Sequence, residues 1–278
     1  MNVCVRCVEI PSIENAWQFK LINGKTVSTL IEPNNKTTSQ FALSYQWHAP
    51  ELNRLELLLE TYYPQSVCYI DIGANAGIRS LLALSNGRPT LMIEPNIDVN
   101  QLNAKRAELN GFGDFEIIEA GISSEEGTAE LYVDHSSYLS SLEAEVVNSD
   151  VLKRKVEIPT TTLDGLVKKH NLGSGFFAKI DVEGHEWEVI KGGKSSIEKY
   201  CPTLVIEINK KGKHIQQILT YFSELEYTMF SIVKRPKHRC FLQSINAGSQ
   251  EHDFLSDDFL FVKEAELVDV LTPYVLPS

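Results

Sequence analysis

The stretch YIDIGANAGIRS, Tyr69–Ser80, decides the reading of this chain. An apolar run ending in Asp71 passes into Gly73-Ala74-Asn75-Ala76-Gly77, and small and apolar residues then resume. The pattern is that of a buried strand, a tight turn and a helix. Glycines lack Cβ and adopt positive φ, so they serve where backbone must pass very close to something. In an open α/β sheet that turn borders the crevice outside the carboxyl ends of the strands, where ligands sit.

Working outward, the alternation continues. TLMIE reads as a strand and DVNQLNAKRAELNG as a helix ended by Gly111; FEIIEAGIS and TAELYV read as strands. TTLDGLVKKH has the threonine of a capped helix, FFAKID is a strand, EGHEWEVIKGG a helix, TLVIEI a strand and HIQQILTYFSELE a helix. YTMFSIV and DFLFV are two final strands with no helical pattern between them. This order predicts a Rossmann-like α/β fold, a mostly parallel sheet with helices on both faces and an antiparallel last strand. Upstream, PELNRLELLLETYYP places Leu52, Leu55, Leu58, Leu59 and Tyr62 at helical spacing. Residues 1–50 differ in texture: Asn23-Gly24 signals a hairpin and Pro33-Asn34-Asn35 a break, so a small strand-rich extension is expected ahead of a main domain at 51–278.

The 278 residues carry a net charge of −11, which argues against nucleic acid as a partner. No stretch approaches the ~20 apolar residues of a membrane span. The N-terminus has no apolar core of a secretory signal, and the five scattered cysteines suit a reducing compartment, so a cytoplasmic location is expected. Cys4-x-x-Cys7 has no second pair with which to build a zinc site.

What does the turn approach? A dinucleotide fingerprint needs glycine where this chain has Asn75 and Ile78, and no phosphate-binding lysine follows. The next strand ends in Glu94-Pro95-Asn96, about 20 positions beyond Gly73, the spacing at which an acid accepts ribose hydroxyls. A glycine turn without a phosphate grip, a ribose-binding acid and Asp71 facing an amino-acid moiety together fit S-adenosylmethionine. The candidate cofactor residues are Asp71, Gly73, Asn75, Gly77, Glu94 and Asn96; capping of nearby helices is the competing role for the acids. A nicotinamide-dependent oxidoreductase and a non-catalytic cofactor-binding domain are the alternatives.

The segments IDIGANAG, IEPN, KIDVEGHEWEVIKGG and PTLVIEIN, in this order, resemble the FkbM-type S-adenosylmethionine-dependent methyltransferases, as do AGISSEEGTAELYV and TTLDGL. The similarity runs over about 51–263. It implies a class I methyltransferase sheet and methyl transfer to oxygen, typically a hydroxyl of a sugar, glycan precursor or other natural product. An alcohol is a weak nucleophile, so a base should take its proton. Asp181 at the end of FFAKID is the first choice, with Glu207 at the end of TLVIEI and His185 as further candidates. Asp181, Glu207 and Asn209 holding a divalent metal is the minority reading. Two basic runs, Lys210-Lys211-x-Lys213 and Lys234–Arg239, are expected at the carboxyl edge, where they would steer an anionic acceptor.

Overall fold

The computed structural model describes residues 8–10, 12–30, 49–134, 140–144, 152–173, 175–209, 212–234 and 240–277. The Cys4-x-x-Cys7 pair, the Pro33-Asn34-Asn35 break, Lys210, Lys211 and Arg235–Arg239 lie outside them.

Three short strands come first: β1 (Val8–Glu9), β2 (Ala16–Lys20) and β3 (Thr26–Leu30). The Asn23-Gly24 signal is realised as the turn between β2 and β3, with Gly24 at φ 83°. Then come α1 (Pro50–Tyr62), β4 (Cys68–Ile72), α2 (Ser80–Ser85), β5 (Thr90–Ile93), α3 (Ile97–Asn110) and β6 (Phe115–Ile118). They are followed by β7 (Gly121–Ile122), β8 (Gly127–Asp134), β9 (Leu152–Thr161), α4 (Leu163–Lys169) and β10 (Phe176–Ile180). The chain closes with α5 (Glu186–Gly192), α6 (Lys194–Tyr200), β11 (Thr203–Glu207), α7 (Ile215–Glu224), β12 (Thr228–Ile232), β13 (Leu242–Ile245), β14 (Asp258–Val262) and α8 (Ala265–Leu271).

The main sheet has eight strands in the order β13-β12-β14-β11-β10-β4-β5-β6. β6, β5, β4, β10 and β11 are mutually parallel, and β14 inserts antiparallel between β11 and β12. This is the expected mostly parallel, Rossmann-like sheet. The strand order reverses between β4 and β10, so the crevice opens where the Gly73–Gly77 turn leaves β4. Several details differ from the sequence reading. FEIIEAGIS splits into β6, in the main sheet, and β7, which pairs with β9 beside β8 in a second sheet. Helix α6 follows the glycines after α5, β13 forms an antiparallel edge beyond β12, and α8 follows the last strand. The final strands are therefore not a simple pair.

Both faces of the sheet are covered, which is why its strands are near-continuous apolar runs. Ile70, Ile72, Phe176, Ala178, Ile180, Leu204 and Ile206 pack under α4–α7, where the apolar stripe Ile215, Ile218, Leu219 and Phe222 of α7 meets them. Tyr69, Phe177, Val205 and Leu260 face the other way, under Leu52, Leu55 and Leu59 of α1 and Leu267 and Leu271 of α8. Side chains alternate along a strand, so Asp71, Lys179, Asp181, Glu207 and Asp258 share the parity of this second face. The β1–β3 unit packs through Phe19, Leu21 and Val27 onto Ile78, Leu81 and Leu82, behind the glycine turn.

Candidate active site

A cavity of about 320 Å³ opens at the carboxyl edge, lined by the glycine turn, the tips of β4, β5, β10, β11 and β14, and Ser140–Leu142. Its volume is at the lower end of ordinary ligand sites.

The turn is held by protein, not left open for a ligand. Gly73, at φ 79°, stands where an added Cβ would lie 1.8 Å from the Asp181 carbonyl oxygen, so the tips of β4 and β10 touch here. At Gly77, φ 66°, an added Cβ would lie 2.6 Å from Met92 Cε and 3.0 Å from Asn103 Oδ1, and this glycine does not line the cavity. Asn75 takes a left-handed φ of 44°. Its carbonyl accepts Asn103 Nδ2 at 2.6 Å, and Arg106 Nη1 donates to Ala76 O at 2.7 Å. The close approach signalled by both glycines is thus to the chain's own backbone and side chains, while Gly73 and Asn75 present the turn's other side to the cavity.

Glu94 Oε2 accepts the Asn75 amide at 2.9 Å and Oε1 the Asn96 amide at 2.8 Å. Burial pushes its carboxyl up to about 7 against these hydrogen bonds. Each oxygen keeps a further acceptor site, enough for a pair of ribose hydroxyls. Asn96 caps α3, accepting from Asp98 N at 3.2 Å, and lies outside the cavity lining. Asp71 is 1% exposed; Oδ2 accepts from Ser80 Oγ at 2.6 Å, and Oδ1 has no partner among the described residues. Burial raises its carboxyl, opposed chiefly by Lys179, its neighbour across the β4–β10 ladder. Of the six candidate cofactor residues, Asp71, Gly73, Asn75 and Glu94 line the cavity.

Beyond them runs a row of charges. Lys179, 4% exposed, donates from Nζ to Asp181 Oδ2 at 2.5 Å. Glu207 sits beside Asp181 and directly across from Asp258 in the β11–β14 pair. The Asp181 charge, then burial, then Asp258 push the Glu207 carboxyl up to about 9, with Lys179 opposing. Asp258 accepts from Ser256 Oγ at 3.3 Å and pairs with Lys234 at 3.2 Å. His185 is elsewhere. Its Nδ1 meets Glu143 Oε1 at 2.8 Å, its Nε2 meets Ser123 Oγ at 3.0 Å, and it does not line the cavity. Lys179, Asp258 and Arg79 are cavity residues that the sequence reading did not single out. A lysine inside an otherwise apolar strand was the available signal, since buried lysines are almost always paired. Among the described residues no group of three His, Cys, Asp or Glu side chains is gathered for a metal ion, and no helix is long and apolar enough to cross a membrane.

The family model of the methyltransferase FkbM domain matches residues 71–229, more than half of the chain. The chain belongs to the FkbM methyltransferase family. Among solved structures, the FkbM methyltransferase from Methylobacillus flagellatus KT is similar at 17% identity and TM-score 0.45, over 72% of this chain and 44% of that one. The FkbM domain described here thus spans less than half the length of that relative. Precorrin-6y C5,15-methyltransferase from Geobacter metallireducens GS-15 aligns at 12% identity and TM-score 0.37, over 76% of this chain and 86% of that one. The N-terminal domain of human METTL16, in complex with SAH, aligns at 14% identity and TM-score 0.36, over 75% and 81%. No curated protein matches the chain by sequence. FkbM membership sets aside the nicotinamide alternative. The residues present are compatible with the family's cofactor: Asp71 Oδ1 has no partner among the described residues, and Glu94 lines the cavity just past β5.

Proposed function

We propose that this chain is an S-adenosylmethionine-dependent O-methyltransferase acting on a hydroxyl of a sugar, glycan precursor or other natural product. The observation that carries the reading is the adjacency, in one cavity, of the Asp71–Gly73–Glu94 floor and the Lys179–Asp181–Glu207 row. S-adenosylmethionine, when bound, supplies a methyl group on a positively charged sulfur that leaves as a neutral thioether. The chain's task is to orient the acceptor and move one proton. Asp181 Oδ2 is held by Lys179, so Oδ1 is the atom that takes the hydroxyl proton as the new bond forms. Glu207, its carboxyl raised chiefly by the Asp181 charge, is suited to donate a hydrogen bond that anchors the acceptor oxygen. Glu94 binds the ribose hydroxyls, and Asp71 faces the amino-acid end. Ser140–Leu142 contribute to the cavity wall. His185, turned to Glu143 and Ser123, has no place in proton transfer on this reading.

An anionic acceptor remains part of the proposal, supported by Lys234 at the cavity wall. The test is to incubate the protein with S-adenosylmethionine and a panel of hydroxylated acceptors, neutral and anionic, and follow S-adenosylhomocysteine. Acceptor-dependent formation supports the reading. Cofactor binding without product across the panel points to a binding domain, and failure to bind overturns it.

A further inference from the structure

Helix α1 precedes the segment matched by the family model, yet it buries polar side chains against Arg79, a residue of the cavity lining. Asn53 is 2% exposed and Glu56 8%. Burying such groups costs stability unless they are partnered. Their shared partner is Arg79, just past the glycine turn: Nη1 donates to Asn53 Oδ1 at 2.6 Å and lies 3.4 Å from Glu56 Oε2. Arg79 lines the cavity together with Ala49 and Leu52, at or beside the start of α1. Asp71, whose Oδ1 lacks a partner among the described residues, lines the same cavity close enough for the Arg79 charge to act on it. A held cation and a buried carboxylate oxygen without a partner among the described residues, in one cavity lining, have the charges a zwitterion would need.

We propose that Arg79, held by Asn53 and Glu56 of α1, binds the α-carboxylate of the cofactor's amino-acid end, while Asp71 Oδ1 takes its α-ammonium. This rests on the cofactor reading of the preceding subsection and assigns α1 a part in cofactor binding. A guanidinium offers two donors to a carboxylate in a fixed plane. Contacts at Nη1 from Asn53 and Glu56 position the group before the ligand arrives.

The test compares ligands that keep or lack the amino-acid end. Calorimetry of the full chain with S-adenosylhomocysteine and with 5′-methylthioadenosine separates the clamp from the nucleoside site. Arg79→Met should weaken S-adenosylhomocysteine by ~10-fold to 100-fold, the range for a lost hydrogen bond to a charged group, and leave 5′-methylthioadenosine within about twofold. Arg79→Lys should retain part of the affinity. Equal weakening of both ligands would show a purely structural Arg79 and overturn the clamp, as would no weakening of either. The unmodified protein supplies an arm that needs no variant. Decarboxylated S-adenosylmethionine, which lacks the carboxylate, should bind ~10-fold or more weaker than S-adenosylmethionine, and equal affinity would overturn the clamp. If the unmodified protein binds none of these adenosine ligands, the cofactor reading itself has failed; binding that ignores the carboxylate refutes only the clamp.

Discussion

Replacing Glu207 by Gln keeps the shape of the side chain and removes its titration. Glu207 is flanked by Asp181 and Asp258, and its carboxyl is raised from 4.5 to about 9 in the folded chain. A carboxyl raised on folding is protonated preferentially in the native state. The native protein therefore loses stability as pH rises from about 4.5 and stops losing it above about 9. Each pH unit inside that window carries at most about 1.4 kcal/mol for one group. Glu207→Gln lacks this penalty. Between pH 6 and pH 8 its stability relative to the parent should rise by up to about 3 kcal/mol, less whatever residual solvent contact screens. For a chain of 278 residues that is a relative gain of roughly 5 °C in melting temperature. At pH 5 the two proteins should differ little, because neutral Glu and Gln are near-isosteres. Urea unfolding and thermal melts at pH 5, 6, 7 and 8 measure this directly. A stability difference that stays constant across the series would refute the placement of Glu207 between two carboxylates.

Three further outcomes follow from the same geometry. Asp181→Asn should leave S-adenosylmethionine affinity nearly unchanged and lower turnover by ~10²-fold or more, read as S-adenosylhomocysteine formed with an active acceptor; unchanged turnover would shift the base to another group. Lys179→Met leaves Asp181 and Asp71 without their buried cation and should cost about 3–5 kcal/mol in denaturant unfolding, whereas a loss below about 1 kcal/mol would mean the lysine is not the charge that balances the site. Gly73→Ala drives a Cβ into the Asp181 carbonyl and should cost several kcal/mol, of the order seen for severe overpacking and strain, so a normally stable variant would contradict the contact between the β4 and β10 tips.

The layered fold and the carboxyl-edge position of the cavity are legible from the chain's local patterns. Strand-long apolar runs bounded by glycine and proline, and helices with local caps such as Thr162 on α4 and Gly111 after α3, depend on neighbours in the chain and are legible without a structure. So was the carboxyl-edge position of Asp71, Glu94, Asp181 and Glu207, because a strand's end is written where its apolar run stops. Local chemistry has no way to say which side of a turn meets the ligand. Gly77 and Asn96 carry the right residue types, yet one packs on Met92 and Asn103 and the other caps α3. His185 has the right chemistry for a base, and Ser123 and Glu143, each at least 40 positions away in the chain, turn it elsewhere. The β7 and β13 strands are short and exist only because β9 and β12 offer them partners. Lys179, Asp258 and Arg79 entered the site through pairing. The parallel register sets Lys179 across from Asp71, the antiparallel register sets Asp258 across from Glu207, and packing of α1 captures Arg79. Electrostatic and packing partners far apart in the chain are chosen by sheet register and helix placement, and those are tertiary quantities.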